Sequence, residues 1–338
     1  MVLRKLLSGG VRPVIEKVKK SSQRKAKAAT RLRYYQDEQS EDTLNLIKKR
    51  WSSPEDFRLF QVNIVRKITN KRATVYRKAP TRTAVEFDQE KLDALYQGSN
   101  INMVLKRASR MTKLLKAILI QVGWKDGQPT LSIVTPNILD VDFDGDPQNL
   151  TRVIITHPGE KENETEYSVW TPDQYTRLDY RGAEIPLPSN TDNVNPYGVL
   201  PFVPCFDRWP DDQFFVPGGD DLIEAQQAIN VSLANLWRAV ELQAHGQAWA
   251  SGIPASDAIK TGPDRAISLP TDGKFGFAAP NAPITDILEA IQFVLRQTAA
   301  ANDLSADVFD LEGKAESAAA KIVEQTDLQE ARQDDVDL

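Results

Sequence analysis

The sequence predicts an α+β fold, and three observations carry that prediction. Helical periodicity fills much of the first third and returns after residue 220. Five short β-branched or aromatic runs lie between Gln128 and Tyr180. A proline-rich passage then separates those runs from the second helical stretch. Strands grouped together and followed by grouped helices suit an α+β layout with an antiparallel sheet, not the alternation of a parallel one.

Taken in order, residues 1–50 are basic and polar, with RKAKAATRLRYY at 24–35, and read as a basic N-terminal arm with some helix. The stretch WSSPEDFRLFQVNIVRKITNKRA carries helix-start chemistry: Ser53 can cap, Pro54 suits the first turn, and Glu55 and Asp56 favour the helix dipole. Its apolar residues Phe57, Phe60, Ile64, Val65 and Ile68 recur at three- and four-residue steps. A second helix is expected over roughly Leu92–Val122. Leu105, Ala108, Met111, Leu115 and Ile118 mark one face, and Lys106, Arg110 and Lys113 another.

From Gln128 onward LSIVTP, ILDVDF, RVIITH, EYSVW and YTRLDY alternate with turn residues, the signature of antiparallel strands. NPYGVLPFVPCF (195–206) has too many prolines for a helix and too much apolar surface for a solvated linker. It reads as an extended segment pinned against a core. Gly218-Gly219-Asp220-Asp221 then opens a helix over Leu222–His245, with Asp221 and Glu224 spaced as a capping box. Leu222, Ala225, Ile229, Leu233, Leu236 and Val240 form a narrow, near-heptad seam. A further helix is expected at Ile284–Ala300, with Ile287, Leu288, Ile291, Val294 and Leu295 apolar. Between the two, 248–282 reads as a strand (QAWAS), a helical turn (PASDAIK) and two strands (RAISLP, KFGFAAP). So short a piece cannot close a core alone, and its strand edges invite pairing with neighbouring copies.

Composition narrows the function classes. The 338 residues have a net charge of −5, but residues 1–125 hold 29 Lys and Arg against 11 Asp and Glu, and the remainder is correspondingly acidic. Such segregation implies that the two parts meet different surroundings. A single cysteine, Cys205, excludes an intrachain disulfide and suits a reducing compartment. No run of 18 apolar residues exists and the first residues lack the apolar core of a signal peptide, so a soluble chain without a membrane partner is expected.

Chemical motifs are sparse. Asp140, Asp142, Asp144 and Gly145 match part of a calcium loop, but Thr151 stands where the bidentate Glu belongs and Pro147 interrupts it. A sheet turn with solvated carboxylates is the preferred reading, and these three aspartates are only a weak metal candidate. The chain has no G-x-x-x-x-G-K-[ST], no G-x-G-x-x-G and no G-x-S-x-G, so neither a nucleotide cofactor nor a catalytic residue is assigned and the expectation is a non-enzyme. His157 reads as a strand-end surface residue and His245 as a helix C-terminal cation. Basic clusters at 24–33, 66–72 and 106–116 suit either solvated helices or sequence-independent phosphate contacts. Trp51, Trp124, Trp209, Trp237 and Trp249 read as core or subunit-interface anchors.

The order of these pieces, with RLRYYQDEQ, QVNIVRKITNKRATVYRKAP, NPYGVLPFVPCFDRW and GGDDLIEAQQAIN, resembles the portal proteins of tailed bacteriophages. The resemblance spans most of the chain. It implies a basic arm at 1–50, a helical and sheet wing at 51–218, a stem helix at 219–247, a clip at 248–282, a second stem helix at 283–301, a tunnel loop at 302–316 and a wing helix at 317–338. In that scheme Leu222, Ile229, Leu233, Leu236, Val240, Ile287, Ile291 and Val294 pack the stem. Trp249, Phe275 and Phe277 join clips of neighbouring subunits, and Asp303, Asp307, Asp310 and Glu312 line the DNA channel.

It further implies a homo-oligomeric ring of about twelve copies, located at a virion vertex after assembly in the host cytoplasm. The implied partners are double-stranded DNA, the terminase large subunit, head-completion and adaptor proteins, and the major capsid and scaffolding proteins. Two features depart from the family: Ser317 is followed by Ala318 where a Ser-Gly pair is common, and the C-terminal crown is expected to be small, absent or outside this sequence. The alternatives are another head–tail connector, or a nucleic-acid-binding enzyme that uses the basic half.

Overall fold

The computed structural model describes residues 14–51, 57–76, 78–159, 164–245, 247–252, 269–278, 283–309 and 326–337. At 44% helix and 21% strand, with every sheet antiparallel, the chain is α+β. Its described residues divide into two compact units: Met1–Glu38, Asn63–Glu224 and Thr298–Leu338 form the first, and Gln39–Val62 with Ala225–Gln297 the second.

The first unit is built on two sheets. In one, β1 (Ala117–Lys125) is central between β2 (Gln128–Val134) and β7 (Phe202–Phe206). The other runs β3 (Leu139–Phe143), β4 (Leu150–Pro158), β5 (Thr165–Trp170) and β6 (Tyr175–Leu178) in sequence order. Ala117 and Leu119 of β1 join Val141, Val153, Trp170, Phe202 and Phe214 in the main core. The five expected strand runs correspond to β2 through β6; in β4 Val153 and Ile155 enter the main core while Ile154 packs in a second cluster, so that strand is buried on both faces.

Strand β1 corrects the expectation of one long helix to Val122. Helix α5 (Gln89–Gly98) and helix α6 (Ile101–Leu115) are separated by a turn at Asn100, φ 51°, and α6 stops at Lys116, φ 73°. The four residues that follow, AILI, are all buried, and α6 packs on β1. A strand covered on both faces has no alternation, so its apolar run cannot be told from a helix continuation by period.

The helix expected to begin near Ser53 begins instead at Ile64. Helix α4 (Ile64–Arg72) is capped by Asn63, whose side-chain oxygen accepts from Arg66 N at 2.8 Å while its amide donates to the Tyr34 carbonyl at 2.9 Å. Phe57 lies outside the helix, its ring centroid 5.0 Å from that of Trp51. Ser53, Pro54, Glu55 and Asp56 fall outside the described residues.

The arm expected over 1–50 is, from residue 14, folded. Residues 14–20 form α1, followed by α2 (Ser22–Gln36) and, in the second unit, α3 (Ser40–Lys48). Val14 packs with Ile154, Tyr167 and Leu178 on the second sheet, and Tyr34 and Ile47 are fully buried.

The proline-rich passage, expected to be extended, first turns at 196–199, where Gly198 has φ 66°, and is extended only in its last part, strand β7. Being an edge strand, it tolerates Pro204, which has no amide hydrogen to donate. Upstream, buried Asn195 donates to the Thr171, Pro172 and Val199 carbonyls at 2.8, 3.0 and 2.8 Å and so fastens the approach to the sheet.

Helix α7 (Asp220–His245) leaves the first unit and continues into the second, where helix α8 (Ile284–Ala300) returns. Between them β8 (Gln247–Ser251) and β9 (Lys274–Ala278) form a hairpin in which Trp249 sits opposite Gly276. Helix α9 (Thr326–Asp337) ends the described chain.

Candidate functional site

The start of α7 is set from within the first unit. Gly218 and Gly219 have φ of 125° and 84°, and a Cβ on Gly219 would stand 3.3 Å from Lys116 Cε and 3.4 Å from Arg31 Cζ. Only glycine takes that backbone and that crowding without strain. Asp220 then accepts from Lys27 at 2.7 Å and Arg31 at 2.6 Å, both from α2. Burial acts to raise its carboxyl pKa, but the bonds from Arg31 and Lys27 outweigh it and hold the carboxyl below its ordinary range. Asp221, expected to cap the helix, lies inside its first turn instead.

Beside this turn is a buried cluster of charge. Asp207, just after β7, accepts from Lys113 at 2.9 Å and Lys116 at 2.7 Å, and Lys113 also pairs with Asp335 of α9. Burial pushes the Asp207 carboxyl up, and the two ammonium groups more than reverse it, leaving its pKa lowered. Burial lowers the Lys116 ammonium, and burial also leaves Asp335 raised despite Lys113. A cavity of about 480 Å³ adjoins, lined by Arg72, Lys116, Asp207, Gly219 and Asn302 among others. Lys113, Lys116 and Arg72 are each matched by a carboxylate, so these pairs fasten α6, the segment after β7 and α9 together, while Arg208 and Asp221 also line the cavity.

The expected tunnel-loop residues are only partly placed. Buried Asn302 donates to the Thr298 carbonyl at 2.9 Å. Asp303, at φ 58°, accepts from Arg72 at 3.2 Å, so this acid is neutralised within the chain. Asp307 lies in the 3-10 turn Ala306–Phe309, and Asp310 and Glu312 fall outside the described residues.

Of the seam residues, Leu222, Ile229 and Ile291 are buried, Leu233, Leu236, Ile287 and Val294 are half-buried, and Val240 is exposed. Gln226 and Asn230, on the same helix, are both fully buried and were not anticipated. Gln226 Nε2 donates to Asn230 Oδ1 and to the Val62 carbonyl, both at 2.8 Å, and Asn230 Nδ2 donates to Gln39 Oε1 at 3.2 Å and Thr43 Oγ1 at 3.3 Å. This satisfied network fixes the rotation of α7 against α3 within the second unit.

In the hairpin, the Phe275 and Phe277 rings meet edge-to-face with centroids 5.2 Å apart. On the other face the Trp249 indole lies over Gly276, where a Cβ would come within 3.0 Å of the ring. Trp249 and Phe277 are exposed and Phe275 is half-buried.

The calcium-like aspartates are spent on cations. Asp140 is 1% exposed and pairs with Arg24 and Lys25, both at 2.6 Å. Asp142 pairs with Lys17 and Arg152. Only Asp144 keeps the solvated position expected of all three. Among the described residues no group of three His, Cys, Asp or Glu could hold a metal ion.

His157 is not a free surface residue: its Nε2 lies 2.7 Å from Ser168 Oγ, and burial followed by Arg177 lowers its pKa. Burial pushes the Cys205 thiol up to about 11, which makes it a poor nucleophile. The core tryptophan is Trp170, absent from the expected anchors, whereas Trp124, Trp209, Trp237 and Trp249 are exposed. Among the described residues no helix is long and apolar enough to cross a membrane. No protein-family model matches the chain, and none of the curated proteins matches it.

Proposed function

We propose that the chain is the portal protein of a tailed bacteriophage, a non-enzymatic subunit of a closed ring of about twelve copies that surrounds a DNA channel. In this reading the ring sits at one capsid vertex, conducts double-stranded DNA during packaging and ejection, and docks the terminase and the neck proteins. The observation that carries it is the second unit: a long helix, an antiparallel strand pair and a return helix whose outward apolar side chains are left exposed by the described residues. Trp237, Leu242, Trp249, Phe277, Leu288 and Phe293 are all exposed there. A lone soluble chain seldom leaves so many large apolar groups on one small unit, and neighbouring copies packed through α7, α8 and the hairpin would bury them.

The acidic residues after α8 supply the channel in this reading. Negative walls keep a duplex mobile, whereas rings of cations would bind its phosphates. With Asp303 matched by Arg72, that task falls to Asp307, Asp310 and Glu312.

Electron microscopy of the purified chain tests the proposal. It expects rings with a central hole; particles that stay monomeric at every concentration examined would refute it. If rings form, Asp307→Lys with Asp310→Lys should leave them intact and make packaging stall or turn salt-dependent.

A further inference from the structure

We infer that the outward cations of α4 and α6 form a binding surface for the phosphate backbone of duplex DNA. Residues 63–116 hold thirteen Lys and Arg against four Asp and Glu. Arg72, Lys113 and Lys116 are matched by Asp303 and Asp207. Among the described residues, no carboxylate pairs with Arg66, Lys67 or Lys71 of α4, nor with Lys106, Arg107 or Arg110 of α6.

Their placement follows from how the two helices pack. Helix α4 buries Ile64, Val65, Ile68 and Thr69, which leaves Arg66, Lys67 and Lys71 on the outside. Arg66 is held in place by its Nε bond to the Tyr35 carbonyl at 2.8 Å. Helix α6, packed against α4, buries Ala108, Met111, Thr112, Leu114 and Leu115 and exposes Lys106 and Arg107.

Lys67 and Lys71 are four residues apart, as are Lys106 and Arg110, and both pairs put like charges on successive turns. That arrangement is unfavourable in an isolated helix. Burial and then the charge of Lys71 lower the Lys67 ammonium pKa, and its Nζ lies 4.5 Å from the centroid of the Phe309 ring. An anion placed outside the helix would relieve both strains. The two lysines are separated by about 6 Å along the axis, so one extended polyanion can meet both. The phosphate chemistry rests on these helices alone; the choice of duplex DNA as the polyanion rests on the function proposed above.

Fluorescence anisotropy with a labelled random-sequence 30-base-pair duplex, titrated with the full chain across a salt series, tests the surface. Wild type should bind with an affinity that falls steeply with salt. Lys67→Gln with Lys71→Gln, and separately Lys106→Gln with Arg110→Gln, should each reduce the log–log salt slope by about 1.8, the value for two lost phosphate contacts. Lys67→Arg with Lys71→Arg should retain the slope. Unchanged slopes in both Gln variants, or no duplex binding at low salt, would overturn the inference. Competition by polyglutamate as effective as by unlabelled duplex would instead make an acidic protein the partner and equally overturn it. Microscopy of the same samples separates the two proposals: rings without duplex binding sink only this one, and salt-sensitive binding by a monomer sinks only the ring.

Discussion

Replacing Asp207 by Asn removes the carboxylate on which Lys113 and Lys116 converge. Its side chain is 9% exposed, and the two ammonium groups lie at 2.9 and 2.7 Å. Breaking a buried pair by removing one partner costs about 3–5 kcal/mol, because the surviving charge stays buried and uncompensated. Lys113 keeps Asp335 and the new amide oxygen can still accept one bond, so the expected loss is near ~3 kcal/mol. Denaturant unfolding followed by circular dichroism at pH 7 measures it.

The pH dependence has a definite sign. The Asp207 pKa is lowered in the folded chain, so its contribution is complete above the unfolded value of about 3.9 and disappears as pH falls through the lower folded value. The gap between wild type and Asp207→Asn should therefore be constant from neutral pH down to about 5 and close below about 4. Asp335 behaves oppositely. Its raised pKa means that the folded state binds the proton more tightly, so acidification favours the fold with Asp335 neutral and no longer ion-paired to Lys113, and Asp335→Asn should cost little at pH 7. A loss under ~0.5 kcal/mol for Asp207→Asn, typical of a surface site, or a gap that persists at low pH, would refute the account of this cluster.

Three other outcomes follow from the geometry. Gly219→Ala should destabilise the chain by ~1–2 kcal/mol, the usual cost of a left-handed backbone with a Cβ, and thermal unfolding checks it; a neutral effect would show that the turn is not constrained. Asn230→Leu should remove the bonds that Gln226, Gln39 and Thr43 make to Asn230, at ~1–3 kcal/mol for each polar atom left unsatisfied, and a stability gain in denaturant unfolding would contradict the role given to that network. Trp237→Ser with Phe293→Ser should leave chain stability within ~0.5 kcal/mol yet abolish rings in sedimentation velocity, and intact rings would remove these side chains from the interface.

Much of the fold was legible in the sequence where local pattern is sufficient. The five short β-branched or aromatic runs between Gln128 and Tyr180 became β2 to β6, and α8 spans Ile284–Ala300 as read, because residue type, period and end signals lie within a dozen neighbouring residues. The near-heptad seam likewise located α7, although its first residue was displaced from Leu222 to Asp220 by the Gly-Gly turn and the ion pairs of Asp220.

The tertiary structure decided what depends on partners distant in the chain. Whether AILI after Lys116 is helix or strand turns on cover from α6 on one face and β7 beside it, which no local pattern encodes. Asp140 reads as a solvated turn carboxylate, and only weakly as a metal ligand, until Arg24 and Lys25, more than a hundred residues earlier, arrive to neutralise it. Lys113 and Lys116 read as solvated cations until β7 delivers Asp207 to them. Periodicity reports which residues avoid water, since that preference belongs to each side chain; which charge meets which is set by chain crossings, and those are fixed only when the core closes.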